Sequence, residues 1–165
     1  MTKSSRRIRM SRDNLESIPQ YSLPEGFRLR WYEPGDERHW LAIHRVADLI
    51  STFPPERFDQ QFHGDTAELM QRQCYLLDSH DKPIGTATAW YDDVPVGPPE
   101  AGFGRVHWVA IVPEAQGQGL ARPLMTTILT RLRDLGHTRA YLYTTLDQPI
   151  AIHLYERFGF VREPA

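Results

Sequence analysis

Residues 116–121, Gln116-Gly117-Gln118-Gly119-Leu120-Ala121, set two glycines just ahead of a segment with helical periodicity. A glycine turn running into a helix N-terminus lets the backbone approach an anion, while the first free amides and the helix dipole point at it. The chemistry this suits is phosphate or pyrophosphate binding. The plainer alternative is a tight strand-to-helix turn that uses glycine only for its dihedrals. Two familiar nucleotide loops fail here. A Walker loop needs Lys and then Ser or Thr after its last glycine, but Leu120-Ala121 follow Gly119. A dinucleotide fingerprint needs glycine or alanine three positions after the second glycine, and that position is Arg122. His107 is a second candidate, because an imidazole in ordinary surroundings titrates near neutral pH and suits general-base work; the alternative is a half-exposed strand histidine. Asp92 and Asp93, just after a predicted strand, can act as bases through water.

These groups need elements to hold them. Phe27 to Tyr32 alternates apolar and basic residues as a strand does. Pro34-Gly35-Asp36 opens a helix whose apolar positions are Trp40, Ile43, Ala47 and Ile50. A second helical region runs from Pro55 to Arg72 and breaks near His63-Gly64. Strands follow at Cys74 to Asp78, Pro83 to Tyr91 and, after a loop rich in glycine and proline, Arg105 to Val112. The helix behind the glycine turn presents Leu120, Leu124, Ile128, Leu132 and Leu135 on one face and ends at Gly136. Thr138 to Thr145 is a further strand. Gln148-Pro149 opens a last helix with Ala151, Leu154, Tyr155 and Phe158 inside, and one short strand follows. The order is β-α-α-β-β-β-α-β-α-β in one domain, residues 27–165. Residues 1–26 read as a polar arm rather than a core element.

Two motifs together resemble the GCN5-related N-acetyltransferase (GNAT) superfamily. Gln116, Gly119 and Ala121 match its Arg/Gln-x-x-Gly-x-Gly/Ala signature. Residues 151–160, Ala151-Ile152-His153-Leu154-Tyr155-Glu156-Arg157-Phe158-Gly159-Phe160, match its A-x-x-L-Y-x-x-x-G-F segment. The resemblance implies an α/β fold: a mixed, mostly antiparallel sheet of six or seven strands, splayed between the fourth and fifth, with about four helices. It implies acetyl-CoA as cosubstrate, with pantetheine paired along Val109, Ala110, Ile111 and Val112. Pyrophosphate would rest on the amides of Gln116, Gly117, Gln118, Gly119, Leu120 and Ala121. Tyr155 would be the acid for the departing thiolate, and a backbone N–H near Val109 or Ala110 the oxyanion donor. Gln148 stands where the family often has a CoA-contacting Asn. Some arylalkylamine acetyltransferases carry histidines on the fourth strand, which supports His107 as base, and a bulge in that strand would reset the face it occupies. Many members have a further strand after G-F, for which residues 161–165 are short. The sheet therefore has six strands, or a partner or the N-terminal residues cover its edge.

Composition narrows the partners. The chain has 165 residues, 41% apolar and 24% charged, in the range of a single globular domain. No apolar run reaches the ~18–20 residues of a membrane helix, and residues 1–26 lack the apolar core of a signal peptide. The single cysteine, Cys74, suits a reducing cytoplasm. The histidines show no tight metal-ligand spacing, so no metal is expected. The net charge of −2 argues against nucleic acid, but it is uneven: +5 in residues 1–12, −9 in 13–100 and +2 in 101–165. The acidic stretch favours a cationic amine as acceptor, with Trp31, Tyr91, Asp92 and Asp93 as its candidate contacts. The expected activity is direct acetyl transfer to the primary amine of a small molecule in a ternary complex, since no nucleophile is placed to form an acetyl-enzyme. A non-catalytic acyl-CoA sensor of the same fold and a protein N-terminal or lysine acetyltransferase are the alternatives, and a homodimer is compatible with the sequence.

Overall fold

Arg7-Ile8-Arg9-Met10-Ser11-Arg12 alternates in polarity, and it forms a strand. The computed structural model describes residues 5–62, 65–91 and 102–164. Its strands are β1 (Arg7–Arg12), β2 (Arg28–Trp31), β3 (Gln73–Leu77), β4 (Pro83–Trp90), β5 (Phe103–Ile111), β6 (Arg139–Thr145) and β7 (Val161–Arg162). Its helices are α1 (Glu37–Ala47), α2 (Arg57–Phe62), α3 (Thr66–Arg72), α4 (Ala121–Asp134) and α5 (Pro149–Arg157), with a 3-10 turn at Pro113–Ala115. The strands make one mixed sheet in the order β2-β3-β4-β5-β6-β1-β7. The chain gathers into two compact units: Met1–Gln20, Ala89–His107 and Met125–Ala165 form one, Tyr21–Thr88 and Trp108–Leu124 the other.

In the first unit β1 pairs antiparallel with β6 from Arg7↔Thr145 to Arg12↔Ala140, and with β7 through Met10↔Arg162 and Ser11↔Val161. Within the segment expected to be an arm, Arg7–Arg12 is thus an inner strand of the sheet. Met10 is fully buried, and Leu15 and Ile18 are buried as well. This settles how the short C-terminal strand is completed: β1 fills the slot between β6 and β7. β5 runs parallel to β6 over Phe103↔Arg139, Gly104↔Ala140 and Arg105↔Tyr141, where the ladder ends.

In the second unit β2, β3 and β4 pair antiparallel. The start of α1 is tied to β2 by Arg30, whose guanidinium donates to both carboxylate oxygens of Asp36 at 2.6 and 2.9 Å. Asp36 also accepts the Glu33 N–H at 2.8 Å. Burial raises the Asp36 pKa, but these bonds outweigh it and hold the carboxyl below its ordinary range. Ile50, expected on the inner face of this helix, is 85% exposed. The helix stops at Ala47 because Asp48 is extended and its carboxylate accepts the N–H groups of Ile50 and Ser51. The second helical region is two helices, α2 and α3, and the expected break at His63-Gly64 lies outside the described residues. The face predicted for α4 is borne out at Leu120, Leu124, Ile128 and Leu132, all buried.

Candidate active site

The glycine turn has the backbone its sequence demands. Gly117 (φ +80°) and Gly119 (φ +73°) are left-handed, where an L side chain is strained. A Cβ at either would meet nothing within 4 Å, so conformation rather than crowding selects glycine. Residues 116–119 are exposed, and the buried Leu120 anchors the turn to α4. Gln116 folds back, its Nε2 donating to the Ile111 carbonyl at 2.9 Å. The result is a row of exposed backbone groups ahead of a fourteen-residue helix, an arrangement suited to a diphosphate.

The end of β5 leads into that turn. Val112 N–H donates to the Ile84 carbonyl at 2.9 Å, so it faces β4. Strand alternation then turns the Ala110 N–H to the same edge and the Val109 and Ile111 N–H groups to the opposite one. Of Val109 and Ala110, only Val109 turns its N–H to the edge away from β4.

The strand also carries a backbone irregularity. Trp108 has φ +52°, a rare conformation for a bulky residue. Upstream, half-buried Phe103 and Arg105 alternate with buried Gly104 and Val106, and His107 breaks that pattern. His107 is buried, not half-exposed. The Trp108 indole N–H donates to Gln61 Oε1 at 2.9 Å. Its ring enters an edge-to-face cluster with Trp40 at 5.6 Å, His44 at 5.3 Å and Phe53 at 5.8 Å. Phe58 and Phe62 complete the cluster against Trp40, each at 5.5 Å.

His44 was not singled out by the sequence, although its position four residues after Trp40 sets both on one helix face. Burial lowers its pKa to about 4, with the charge of Asp48 opposing the shift. It is therefore a neutral ring in the cluster at physiological pH, and its buried Nε2 has no hydrogen-bond partner.

Tyr155 lies on α5, in the unit that also holds His107, Tyr91 and Gln148. The helix starts at Pro149 and ends in a Schellman motif. Gly159 (φ +83°) donates its N–H to Glu156, and Phe160 donates to Tyr155, at 2.9 and 3.0 Å. Tyr155 is buried, and desolvation raises its phenol to about 12. A phenol so shifted stays protonated and can act as an acid at neutral pH. Gln148 is exposed at the N-cap of α5 and makes no side-chain capping bond. Tyr91 stacks on Trp90 at 5.0 Å. Trp31 is half-buried on β2 in the other unit, opposite Cys74. Asp92 and Asp93 lie outside the described residues.

Cys74 is fully buried. Among the described residues no group of three or more His, Cys, Asp or Glu could hold a metal ion, and no helix is long and apolar enough to cross a membrane.

A sheet of this order, with a parallel pair that ends early and a left-handed glycine turn leading into α4, is an acetyltransferase-type α/β fold. The chain matches the Acetyltransferase (GNAT) family over residues 40–160 and belongs to that family. A mycothiol acetyltransferase from Pseudarthrobacter chlorophenolicus is 33% identical over 153 residues, 88% of this chain and 46% of that protein. Another, from Thermobispora bispora, is 33% identical over 174 residues, 98% of this chain and 56% of that protein. The chain thus spans about half the length of the curated relatives it matches. A crystal structure of a GCN5-related N-acetyltransferase from Sphaerobacter thermophilus shares the fold, with TM-score 0.78 at 20% identity over 95% of this chain and 48% of that one.

Proposed function

We propose that the chain transfers the acetyl group of acetyl-CoA to the primary amine of a small molecule, by direct attack in a ternary complex. The observation that carries this reading is the exposed, left-handed glycine turn, Gln116 to Gly119, set between β5 and the N-terminus of α4. It suits the diphosphate of CoA, and the strand edge bearing the Val109 and Ile111 N–H groups suits the pantetheine amides. Gln148 supplies a further polar contact to CoA. Relatives named for mycothiol support a small-molecule acceptor over a protein one.

In the proposed reaction His107 takes a proton from the ammonium of the acceptor, and the neutral nitrogen attacks the thioester carbonyl. The C–N bond forms while the Val109 N–H donates to the developing oxyanion. Collapse breaks the C–S bond, Tyr155 delivers its phenolic proton to the thiolate, and the amide nitrogen gives up its remaining extra proton to solvent. Solvent then returns Tyr155 and His107 to their starting states. Trp31 and Tyr91 are the candidate acceptor contacts, together with Asp92 and Asp93.

Two measurements test the reading. Millimolar acetyl-CoA stabilises the protein in a thermal melt, and the absence of any shift rejects the CoA site. Release of CoA thiol over a panel of primary amines then separates an enzyme from a non-catalytic sensor: binding with no thiol released by any amine rejects catalysis.

A further inference from the structure

Trp108 is the only described residue other than glycine that is left-handed inside a strand. The other two left-handed side chains, Ser17 and Asp81, lie at bends between elements. A left-handed backbone is unfavourable for any L residue and most of all for a bulky one. It persists only where the surroundings hold it, and such strain gathers at the working parts of a protein.

What holds it here is the ring. The indole N–H donates to Gln61 Oε1 at 2.9 Å, which ties the side chain to α2. The ring meets Trp40 and His44 of α1 and Phe53 nearly at right angles, at 82°, 78° and 75°. Those three partners are at most 5% exposed, and Phe58 and Phe62 of α2 pack on Trp40. Trp108 is half-buried, so its ring lies against this core rather than within it. Apolar contact alone asks for neither a strained backbone nor a hydrogen-bond acceptor, whereas the bond to Gln61 fixes the ring in one pose. These residues, like Val109, all belong to the second unit.

The peptide that follows Trp108 carries the Val109 N–H. Rotation about the Trp108 backbone bonds turns the plane of that peptide, so the conformation at 108 sets where the N–H points. The Val109 N–H turns to the edge away from β4, on a half-buried stretch of β5. We propose that Trp108 is a positioning residue: its ring, clamped by Gln61 and packed on Trp40, His44 and Phe53, holds the backbone that aims the Val109 N–H at the thioester carbonyl. This rests on the acetyl-transfer reading above, with Val109 as oxyanion donor, and makes α1 and α2 govern that donor through one side chain.

The test sets Trp108→Gly against Trp108→Ala in the full chain. Both remove the ring, but only glycine takes the left-handed backbone freely. A ring that merely fills space leaves the glycine variant no better than the alanine one. A ring that holds the backbone leaves it better: kcat per folded protein, with an amine that releases CoA thiol, is expected about fivefold or more above Trp108→Ala. Trp108→Phe and Gln61→Met keep the core and decide the matter should the ringless variants not fold. Each is expected to lower kcat about tenfold with KM for acetyl-CoA changed less than about twofold, because misaiming a donor costs less than the roughly hundredfold or more of losing it. Gln61→Glu recovers part of the loss, since its carboxylate still accepts the indole N–H.

A turnover-independent arm follows the Val109 amide proton by NMR with CoA and with acetyl-CoA. In wild type it is expected further downfield with acetyl-CoA, whose carbonyl CoA lacks; the difference disappears in Trp108→Ala and returns in Trp108→Gly. That pattern upholds the positioning role even where no amine is acetylated, a result that rejects only the catalytic reading. An alanine variant equal to the glycine variant in both readouts, or wild-type kcat in both Trp108→Phe and Gln61→Met, overturns the inference. Acetylation with a Val109 amide that does not distinguish acetyl-CoA from CoA places the donor elsewhere and overturns it too, leaving catalysis standing.

Discussion

Arg12 Nη1 donates to the carbonyl of Phe158 at 2.6 Å, joining residues 146 positions apart in sequence. The acceptor is the C-cap carbonyl directly after α5, so a cation from β1 caps the negative end of the helix that carries Tyr155. The same guanidinium donates to the carbonyls of Asn14 and Glu16, which folds the segment after β1 around it. Removing it as Arg12→Ala is expected to cost about 1.5–3 kcal/mol in urea denaturation. Arg12→Lys recovers part of this, because a point charge cannot reach three carbonyls at once. Wild-type stability in Arg12→Ala would show that the cap is incidental.

The His44 ring makes stability depend on pH. Its folded pKa of about 4 lies below the ordinary 6.5, so the folded state favours the neutral form. The unfolded chain binds a proton first as pH falls. The stabilisation is whole above pH ~6.5, declines by about 1.4 kcal/mol per unit below it, and levels near pH 4 with about 3 kcal/mol lost. His44→Leu should remove this slope. Urea midpoints from pH 7 to 4.5 that run parallel in the two proteins would refute the assignment.

Tyr155→Phe keeps the ring and its packing and removes the acidic proton. The expected outcome is a fall in kcat of roughly a hundredfold with KM for acetyl-CoA changed by less than about threefold. Because the phenol sits near 12, it contributes no basic limb to the pH–rate profile around neutrality. An unchanged kcat removes Tyr155 from the reaction.

At Gly119 a Cβ meets open space, and only the left-handed backbone opposes it. Gly119→Ala is therefore expected to lose about 1 kcal/mol of stability and, by shifting the turn, to raise KM for acetyl-CoA about tenfold. Unaltered KM in a variant with the expected stability loss would move the diphosphate elsewhere.

The glycine turn, the amphipathic helix behind it and the Tyr155 segment were all legible in the sequence. Each is written in residues within one or two helical turns of each other, where period, glycine placement and capping act locally. Their likeness to a known family followed from the same short stretches. Gly117 and Gly119 had to be left-handed, and the buried face of α4 had to be apolar, whatever the rest of the chain did.

Other features depend on partners far away in sequence. Arg7 to Arg12 alternates like any short polar strand, and only pairing with β6 and β7, more than a hundred residues on, makes it an inner strand with Met10 in the core. The left-handed backbone at Trp108 has no local signature, since neither glycine nor proline adjoins it; the ring contacts to Trp40, His44 and Phe53 accompany the strained φ. The seat of that ring draws on α1, α2 and β5, and no window of sequence contains it. Local propensity decides which segments are helix, turn or strand, whereas register sets which side chains share a face, and that is fixed by burial of the whole sheet.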